Sequence, residues 1–224
     1  CLGYSTHAIH NHRGSFYGRH KVLPNLGFDT FTSLAYMTAV ERTSKNWAKD
    51  KILVQQITDT IKSTENEDYI YTISVQGHGK YPTEQIMEDR HVEVTKAPNE
   101  QQKWAYEYYA NQVYEMDQFI KELTSVLKKL DEDTVLVMYG DHLPALDMTE
   151  EQMKTGDLFP TQYVIWDNFG MDRKTENLYT YQIGAEVLDR LDIHEGLLVK
   201  YHQNHRGRSD YRKNLKLLGY DMLY

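Results

Sequence analysis

The spacing of hydrophobic positions changes along the chain in a way that predicts alternating strands and helices. Short apolar or β-branched runs, typical of strands, occur at 4–9, 70–76, 134–139 and 162–166. Helical spacing, with apolar residues every three or four positions, occurs at 51–62, 181–191 and 209–218. Asp50 stands where an N-cap of the first of these helices is expected. The alternation predicts an α/β fold with a mostly parallel central sheet flanked by helices.

The longest helix is predicted over 101–130. Its apolar side chains share one face: Tyr109, Val113, Met116, Ile120, Leu123, Leu127 and Leu130. Asn99, followed three positions later by Gln102, has the pattern of a capping box that begins such a helix. The seam would also suit a coiled coil, but the alternation of strands and helices favours a helix packed on a sheet.

Composition limits the class of protein. The 224 residues are 40% hydrophobic, which suits one folded domain, and no apolar run approaches the roughly 20 residues of a membrane span. Lys and Arg number 25 against 33 Asp and Glu, and the net charge of −8 argues against a general nucleic-acid binder. The single cysteine, Cys1, excludes an internal disulfide. The chain enters a strand-like run at once, without Met or a signal peptide, which suggests part of a longer domain.

Polar residues whose side chains can bind a metal or a phosphate follow the ends of predicted strands, where open α/β sheets bind ligands. Asp141 and His142 follow the most apolar strand, and a carboxylate beside an imidazole suits a divalent metal. The same pair could instead cap the next turn and bond a backbone carbonyl. His78, after Gly77, could bind a metal or a phosphate or donate a proton, or it could be an ordinary loop residue.

Cationic side chains gather after the first predicted strand. His10, Arg19 and His20 form a cluster that needs anionic neighbours or an anionic ligand. The tract 202–206 is polar and is expected to be a solvated turn. No G-x-S-x-G elbow, P-loop or G-x-G-x-x-G motif occurs, so no nucleophile is visible in the sequence.

Three motifs occur in a specific order along nearly the whole chain. They comprise His10 with Phe16-Tyr17-Gly18-Arg19 and Asn25-Leu26-Gly27-Phe28-Asp29, then Ser74-Val75-Gln76-Gly77-His78-Gly79-Lys80-Tyr81-Pro82, then Tyr139-Gly140-Asp141-His142-Leu143-Pro144. Together they resemble the extracellular catalytic domain of the lipoteichoic acid synthase family. Members of that family are sulfatase-like enzymes of the alkaline phosphatase superfamily.

The resemblance implies a role for each matching residue. Asp141 and His142 correspond to two ligands of a divalent metal, usually Mn²⁺, and His10, Arg19 and His78 correspond to residues that bind the substrate phosphate. The implied reaction is phosphoglycerol transfer from a phosphatidylglycerol-type lipid, for cell-wall glycopolymer synthesis. The partners would be the phospholipid head group and a glycerophosphate polymer or glycan acceptor, with no nucleic acid.

The resemblance also implies what lies outside the chain. The family's Glu metal ligand and Thr nucleophile would precede Cys1, so 1–224 is expected to be the C-terminal portion of one catalytic domain. Such a fragment is expected to be inactive alone and to bind Mn²⁺ weakly or not at all. Upstream helices, absent from this chain, would anchor the intact protein at the extracytoplasmic face of a bacterial membrane.

Other functions remain open at this point. The same architecture serves sulfatases and phosphodiesterases, because fold does not fix the substrate. The 18 tyrosines would also suit a non-catalytic module that binds an anionic glycopolymer. A calcineurin-like metallophosphatase would need further Asp, Asn and His clusters, which cannot be assembled from this sequence. A Thr or Ser after a strand and an earlier Glu, both upstream, would decide for the enzyme.

Overall fold

The structure is a computed structural model that describes residues 2–223. The chain divides into two compact units, one of residues 2–132 with 139–162 and the other of residues 133–138 with 163–223. Within the described range, every helix is too short or too polar to cross a lipid bilayer.

The first unit is built on a parallel sheet of three strands in the order β2-β1-β3. In chain order these are β1 (Ser5–His10), β2 (Thr30–Ser33) and β3 (Asp68–Ile73). The register pairs His10 with Ser33 on one side and with Ile73 on the other, so the three strands end at one edge. This sheet confirms the predicted fold class. Strand β2 was not predicted, because its four residues, TFTS, include only one apolar side chain.

Three helices belong to this unit: α1 (Arg19–Asn25), α2 (Ile52–Ile61) and α3 (Glu100–Leu127). Helix α2 forms where its apolar spacing predicts it and buries Leu53, Val54 and Ile57. Helix α3 starts where predicted, because the Asn99 side chain accepts a hydrogen bond from the backbone N–H of Gln102 at 2.8 Å.

The predicted apolar face of α3 is correct only in its C-terminal half. Leu123 and Leu127 are buried there, whereas Val113 in the N-terminal half is exposed. In that half the buried side carries Glu107 and Asn111 instead. These side chains accept hydrogen bonds from the backbone N–H groups of residues 91, 92 and 94, at 2.7 to 3.0 Å. In this half of α3, the side that faces inward is therefore the one that supplies acceptors for the backbone N–H groups of the preceding loop.

The second unit holds the remaining strands and helices. These are β4 (Val135–Tyr139, whose last residue belongs to the first unit), β5 (Tyr163–Asp167), α4 (Ile183–Arg190), α5 (Leu197–His205) and α6 (Tyr211–Leu223). The backbone N–H of Asn168 donates to the Thr134 carbonyl at 3.3 Å, so the start of β4 lies beside the end of β5, as in an antiparallel pair.

The expected solvated turn at 202–206 is wrong, because most of this tract is helical. Residues up to His205 belong to α5, and His202 is buried with its Nδ1 2.7 Å from the Tyr211 hydroxyl. Arg206, just beyond, pairs with the buried carboxylate of Glu186. Partners distant in sequence therefore turn a polar tract inward.

Candidate active site

His10 ends β1 and uses both of its ring nitrogens. Its side chain is buried, with Nδ1 2.8 Å from the Ile73 carbonyl oxygen and Nε2 2.5 Å from Nη1 of Arg19. Because a carbonyl only accepts, Nδ1 carries the proton and Nε2 accepts from the guanidinium. Burial lowers the pKa of His10 to about 4, and the neighbouring charges of Arg19 and His12 act in the same direction. The imidazole is therefore neutral near pH 7.

Arg19 follows a left-handed corner that turns the chain back toward β1. Tyr17 has φ 52° and Gly18 has φ 66°, a conformation that glycine adopts freely and tyrosine rarely. The guanidinium of Arg19 lies 5.5 Å from the ring centre of Phe16 and 5.7 Å from that of Tyr17. Two aromatic faces and the His10 nitrogen thus hold the guanidinium in place.

Aromatic rings form a continuous row through the first unit, here called the ring row. In order, its members are His10, His12, Trp47, His78 and His142. Successive ring centres are 5.7, 5.2, 5.2 and 5.6 Å apart. The row brings together the segments that follow β1, β3 and β4. All three motifs found in the sequence therefore meet in one place.

His78 lies in a tight turn beyond β3. Its backbone N–H donates to the Val75 carbonyl at 2.9 Å, and its Nδ1 lies 2.7 Å from the Gly79 carbonyl oxygen. The carbonyl places the ring proton of neutral His78 on Nδ1. Nε2 then keeps its lone pair for a ligand or a proton.

Asp141 and His142 follow β4 on the surface of the same unit. Their side chains are 70% and 58% exposed, and His142 Nε2 lies 3.7 Å from Asp141 Oδ1. His142 Nδ1 is 3.0 Å from the Leu143 carbonyl oxygen, which leaves Nε2 as the nitrogen beside the carboxylate. A Cβ at Gly140 would lie 2.8 Å from Thr161 Oγ1, so glycine allows this turn to pass close to the neighbouring segment.

The exposed pair has the donor chemistry of a divalent-metal site. A carboxylate oxygen and an imidazole nitrogen are both ligands that Zn²⁺ or Mn²⁺ accepts. Within residues 2–223, however, no three His, Cys, Asp or Glu side chains gather closely enough to hold an ion. The described residues therefore fit part of a metal site and do not complete one.

Asp50 is not the helix cap that the sequence predicts. Its side chain does not cap α2, for which Lys51 occupies the N-cap position. The carboxylate is fully buried, and its Oδ1 accepts hydrogen bonds from Asn11 Nδ2 (2.8 Å) and from the backbone N–H groups of Val75 (3.1 Å) and Gln76 (3.2 Å). Burial raises the pKa of Asp50, although these hydrogen bonds oppose the rise.

Two members of the ring row, Trp47 and His12, were not among the predicted site residues. A lone tryptophan in the polar stretch 41–50 was the available signal for Trp47, since a large apolar ring in such a stretch needs packing partners. His12 has Nδ1 2.6 Å from the Arg13 backbone N–H, and its ring stacks at 4.9 Å on Phe16. His7, by contrast, bonds to Thr30 and Asp68 and ties the three strands together.

Comparisons with known proteins identify the family. A family model described as sulfatase matches residues 2–193. The chain belongs to the sulfatase family. It is 27% identical over 237 residues to the putative cyclic beta-1,2-glucan modification protein of Rhizobium meliloti (strain 1021), covering 96% of this chain and 37% of that protein. It is also 27% identical over 146 residues to the capsular polysaccharide biosynthesis protein RkpI of the same organism, covering 64% of this chain and 25% of that protein.

Solved structures share the fold of this sulfatase-family chain. The phosphoglycerol transferase GacH of Streptococcus pyogenes, in complex with sn-glycerol-1-phosphate, aligns with a TM-score of 0.74 and 20% identity over 90% of this chain. The lipoteichoic acid synthase LtaP of Listeria monocytogenes aligns with a TM-score of 0.52 and 20% identity over 73%. An alkaline phosphatase superfamily protein of Vibrio parahaemolyticus gives 0.59 and 14% over 85%. The predicted sulfatase-like family and the predicted fold are confirmed.

The alignments extend over only part of each relative. The chain spans about a third of the glucan modification protein, 53% of the GacH chain and 43% of the LtaP chain. The sulfatase family and the fold are established for this chain. Because the chain spans only part of each relative, the reaction of the whole protein is a matter for proposal.

Proposed function

We propose that this chain is the phosphate-binding part of a metal-dependent phosphoglycerol transferase that modifies a cell-surface glycopolymer. The observation that carries the proposal is the Arg19 guanidinium, held by a buried neutral His10 in the unit that also presents His78 and the Asp141–His142 pair. Two relatives support it: GacH is a phosphoglycerol transferase, seen in complex with sn-glycerol-1-phosphate, and the Rhizobium protein is named for glucan modification.

Arg19 is the proposed grip on the phosphate. One of its N–H groups donates to His10 Nε2, and a guanidinium has five, so four remain for phosphoryl oxygens. Its planar fork can bond two oxygens of one phosphate at once, which a lysine cannot do. In this proposal neutral His10 orients the guanidinium, and the lone pair of His78 Nε2 accepts or relays a proton at the same phosphate.

Asp141 and His142 are the proposed protein ligands of a divalent ion, Mn²⁺ in this proposal, with further ligands outside these 224 residues. Such an ion would stabilise negative charge on the phosphoryl oxygens. The nucleophile, a Thr by resemblance, is likewise proposed to lie outside these residues, so the chain alone is expected to bind and not to turn over. A phosphatidylglycerol-type donor and an extracytoplasmic location complete the proposal.

Binding of sn-glycerol-1-phosphate to the chain, measured by isothermal titration calorimetry, tests the phosphate grip. Arg19→Ala should weaken binding by about tenfold or more, the equivalent of one lost charge-assisted hydrogen bond. Arg212→Ala is the matched control, because Arg212 also lies over a tyrosine ring, at 4.5 Å from Tyr179, but belongs to the other unit. Its affinity should equal that of the unmodified chain.

Two results would redirect the proposal. Equal affinity for Arg19→Ala and the unmodified chain would remove Arg19 from the phosphate site. Methyl sulfate, titrated in the same way, separates the transferase from a sulfatase, because it offers the same oxygens with less charge. Tighter binding of methyl sulfate than of glycerol phosphate would favour a sulfate ester as the substrate.

A further inference from the structure

Behind the ring row lies a group of buried polar side chains, here called the Asp50 cluster: Asn11, Asp50, Gln76 and Gln112. Each of the four is at most 4% exposed. None is placed at the phosphate or metal position, yet three of them are near neighbours in sequence of residues in the ring row. Asn11 lies between His10 and His12, Asp50 follows Trp47 by three positions, and Gln76 precedes His78 by two.

The hydrogen bonds of the cluster converge on one side chain. Oδ1 of Asp50 accepts from the Asn11 amide and from the backbone N–H groups of Val75 and Gln76. The backbone N–H of Asp50 donates in return to Gln76 Oε1 at 2.7 Å. Gln76 Nε2 then donates to Gln112 of α3 at 3.0 Å. The segment after β1, the start of α2, the turn after β3 and α3 are thus joined through Asp50 and Gln76.

Asp50 acts at the point where the sheet no longer holds the two segments together. The last residue pair between β1 and β3 is His10 with Ile73. Beyond that pair, Asn11 on one side and Val75–Gln76 on the other have no ladder contact between them, and Oδ1 of Asp50 bridges the two. This bridge is therefore a main constraint on the separation of the histidines that follow.

The bridge is made at a cost to folding. Asp50 Oδ2 and Asn11 Oδ1 are buried among the described residues without a hydrogen-bond partner. An unpartnered buried oxygen destabilises the folded chain, and an apolar pair would fill the same volume without that cost. We therefore explain the buried carboxylate by the segments that its other oxygen, Oδ1, holds in position.

We propose that Asp50 is a positioning residue of the phosphate site, which sets the separation between the His10–His12 segment and the His78 turn. Because of this bridge, the Arg19 guanidinium, which is bonded to His10, and the ring of His78 can face the same phosphate. The inference rests on the proposed function for its ligand, and on the hydrogen bonds alone for its geometry.

The test uses two readouts on the same variants of the chain. The first is the ring ¹⁵N shifts of His10 and His78, read by two-bond ¹H–¹⁵N correlation without any ligand. The second is the affinity for sn-glycerol-1-phosphate by calorimetry. Asp50→Ala should shift both rings and weaken binding by about tenfold or more, because small displacements of binding groups are costly. Asp50→Asn keeps an acceptor oxygen toward the three donors and should restore most of both signals.

The matched control is Glu107→Ala. Glu107 is also a fully buried carboxylate of this unit that accepts a backbone N–H, that of Val94, but it does not contact the ring row. This variant should lose thermal stability and keep both ring shifts and the affinity. Asn11→Ala removes one of the three donors and should give a smaller change of the same kind, which decides the matter if Asp50→Ala does not fold.

Several outcomes would overturn the proposal. The first is that the ring ¹⁵N shifts and the affinity are unchanged in a folded Asp50→Ala or, if that variant does not fold, in Asn11→Ala. The second is an Asp50→Asn variant as defective as Asp50→Ala. The third is a Glu107→Ala variant whose ring shifts change as much as those of Asp50→Ala. If the unmodified chain fails to bind glycerol phosphate, the proposed function fails. The ring shifts still decide whether Asp50 positions the two histidines.

Discussion

Acidification should destabilise the protein through His10, because this ring is buried in its neutral form. Its pKa is lowered from 6.5 to about 4 by burial and by the nearby charges of Arg19 and His12. As the pH falls, the unfolded chain therefore takes up this proton first. The stabilisation is fully present above about pH 6.5 and is lost as the pH falls toward 4.

The two pKa values set the size of the effect. Integrating proton linkage between them gives a loss of about 2 kcal/mol in the free energy of unfolding from pH 7 to pH 5, and about 3 kcal/mol for the complete titration. Other groups also titrate in this range, so the relevant quantity is a difference between two proteins. In His10→Gln the titrating ring is gone, and the loss from pH 7 to pH 5 should be smaller by about 2 kcal/mol.

Urea unfolding of both proteins at pH 7 and pH 5 measures this difference. Two-bond ¹H–¹⁵N spectra should show His10 protonated on Nδ1, with a titration midpoint below pH 5. His194 is an internal control, because hydrogen bonds to Gln203 and Asp192 raise its pKa and its midpoint should lie above 6.5. A His10 midpoint near 6.5, a proton on Nε2, or equal pH dependence in His10→Gln would refute the reasoning.

Three further predictions concern the loop, the ring row and the metal pair. Glu107→Ala removes a buried carboxylate that accepts from the Val94 backbone N–H and pairs with Arg90, so it should lower the free energy of unfolding by about 2–4 kcal/mol and speed proteolysis within 86–94; unchanged urea unfolding would contradict this. Glycerol phosphate should change the tryptophan emission of the chain and of Trp104→Phe, but not of Trp47→Phe; a surviving response in Trp47→Phe would exclude contact with the row. In the intact protein, added Mn²⁺ should partly restore diacylglycerol release from a fluorescent phosphatidylglycerol to His142→Ala and not to Arg19→Ala; equal rescue would show that these roles are misassigned.

Local pattern was sufficient to predict most of the secondary structure. The strands at Ser5–His10 and Val135–Tyr139 lie within one or two residues of their predicted bounds, because apolar and β-branched runs with polar ends have few alternatives. Asn99 marked the start of α3 for the same local reason. The apolar face of α3 failed at Val113, where the hydrogen-bond demand of a distant loop outweighs the burial of carbon.

The site was predictable in outline and not in its supports. Motif order and strand ends pointed to the five candidate residues, and the structure gathers His10 with Arg19 and His78 with His142. Asp50 was missed because the same residue type serves as a helix cap and as a buried acceptor, and only its tertiary partners separate the two. His202 was missed likewise, since the hydroxyl that draws it inward comes from Tyr211 on another helix.

The contrast between Arg19, held against the buried His10, and the exposed Asp141–His142 pair has a thermodynamic consequence. The guanidinium is already immobilised by a ring nitrogen and two aromatic faces, so an anion that binds it removes little rotamer freedom. Asp141 and His142 are exposed to solvent, so fixing their rotamers around an ion costs conformational entropy and opposes metal binding. Anion binding should therefore show a small entropic penalty that is insensitive to metal, whereas metal affinity should rise once other groups restrict the exposed pair.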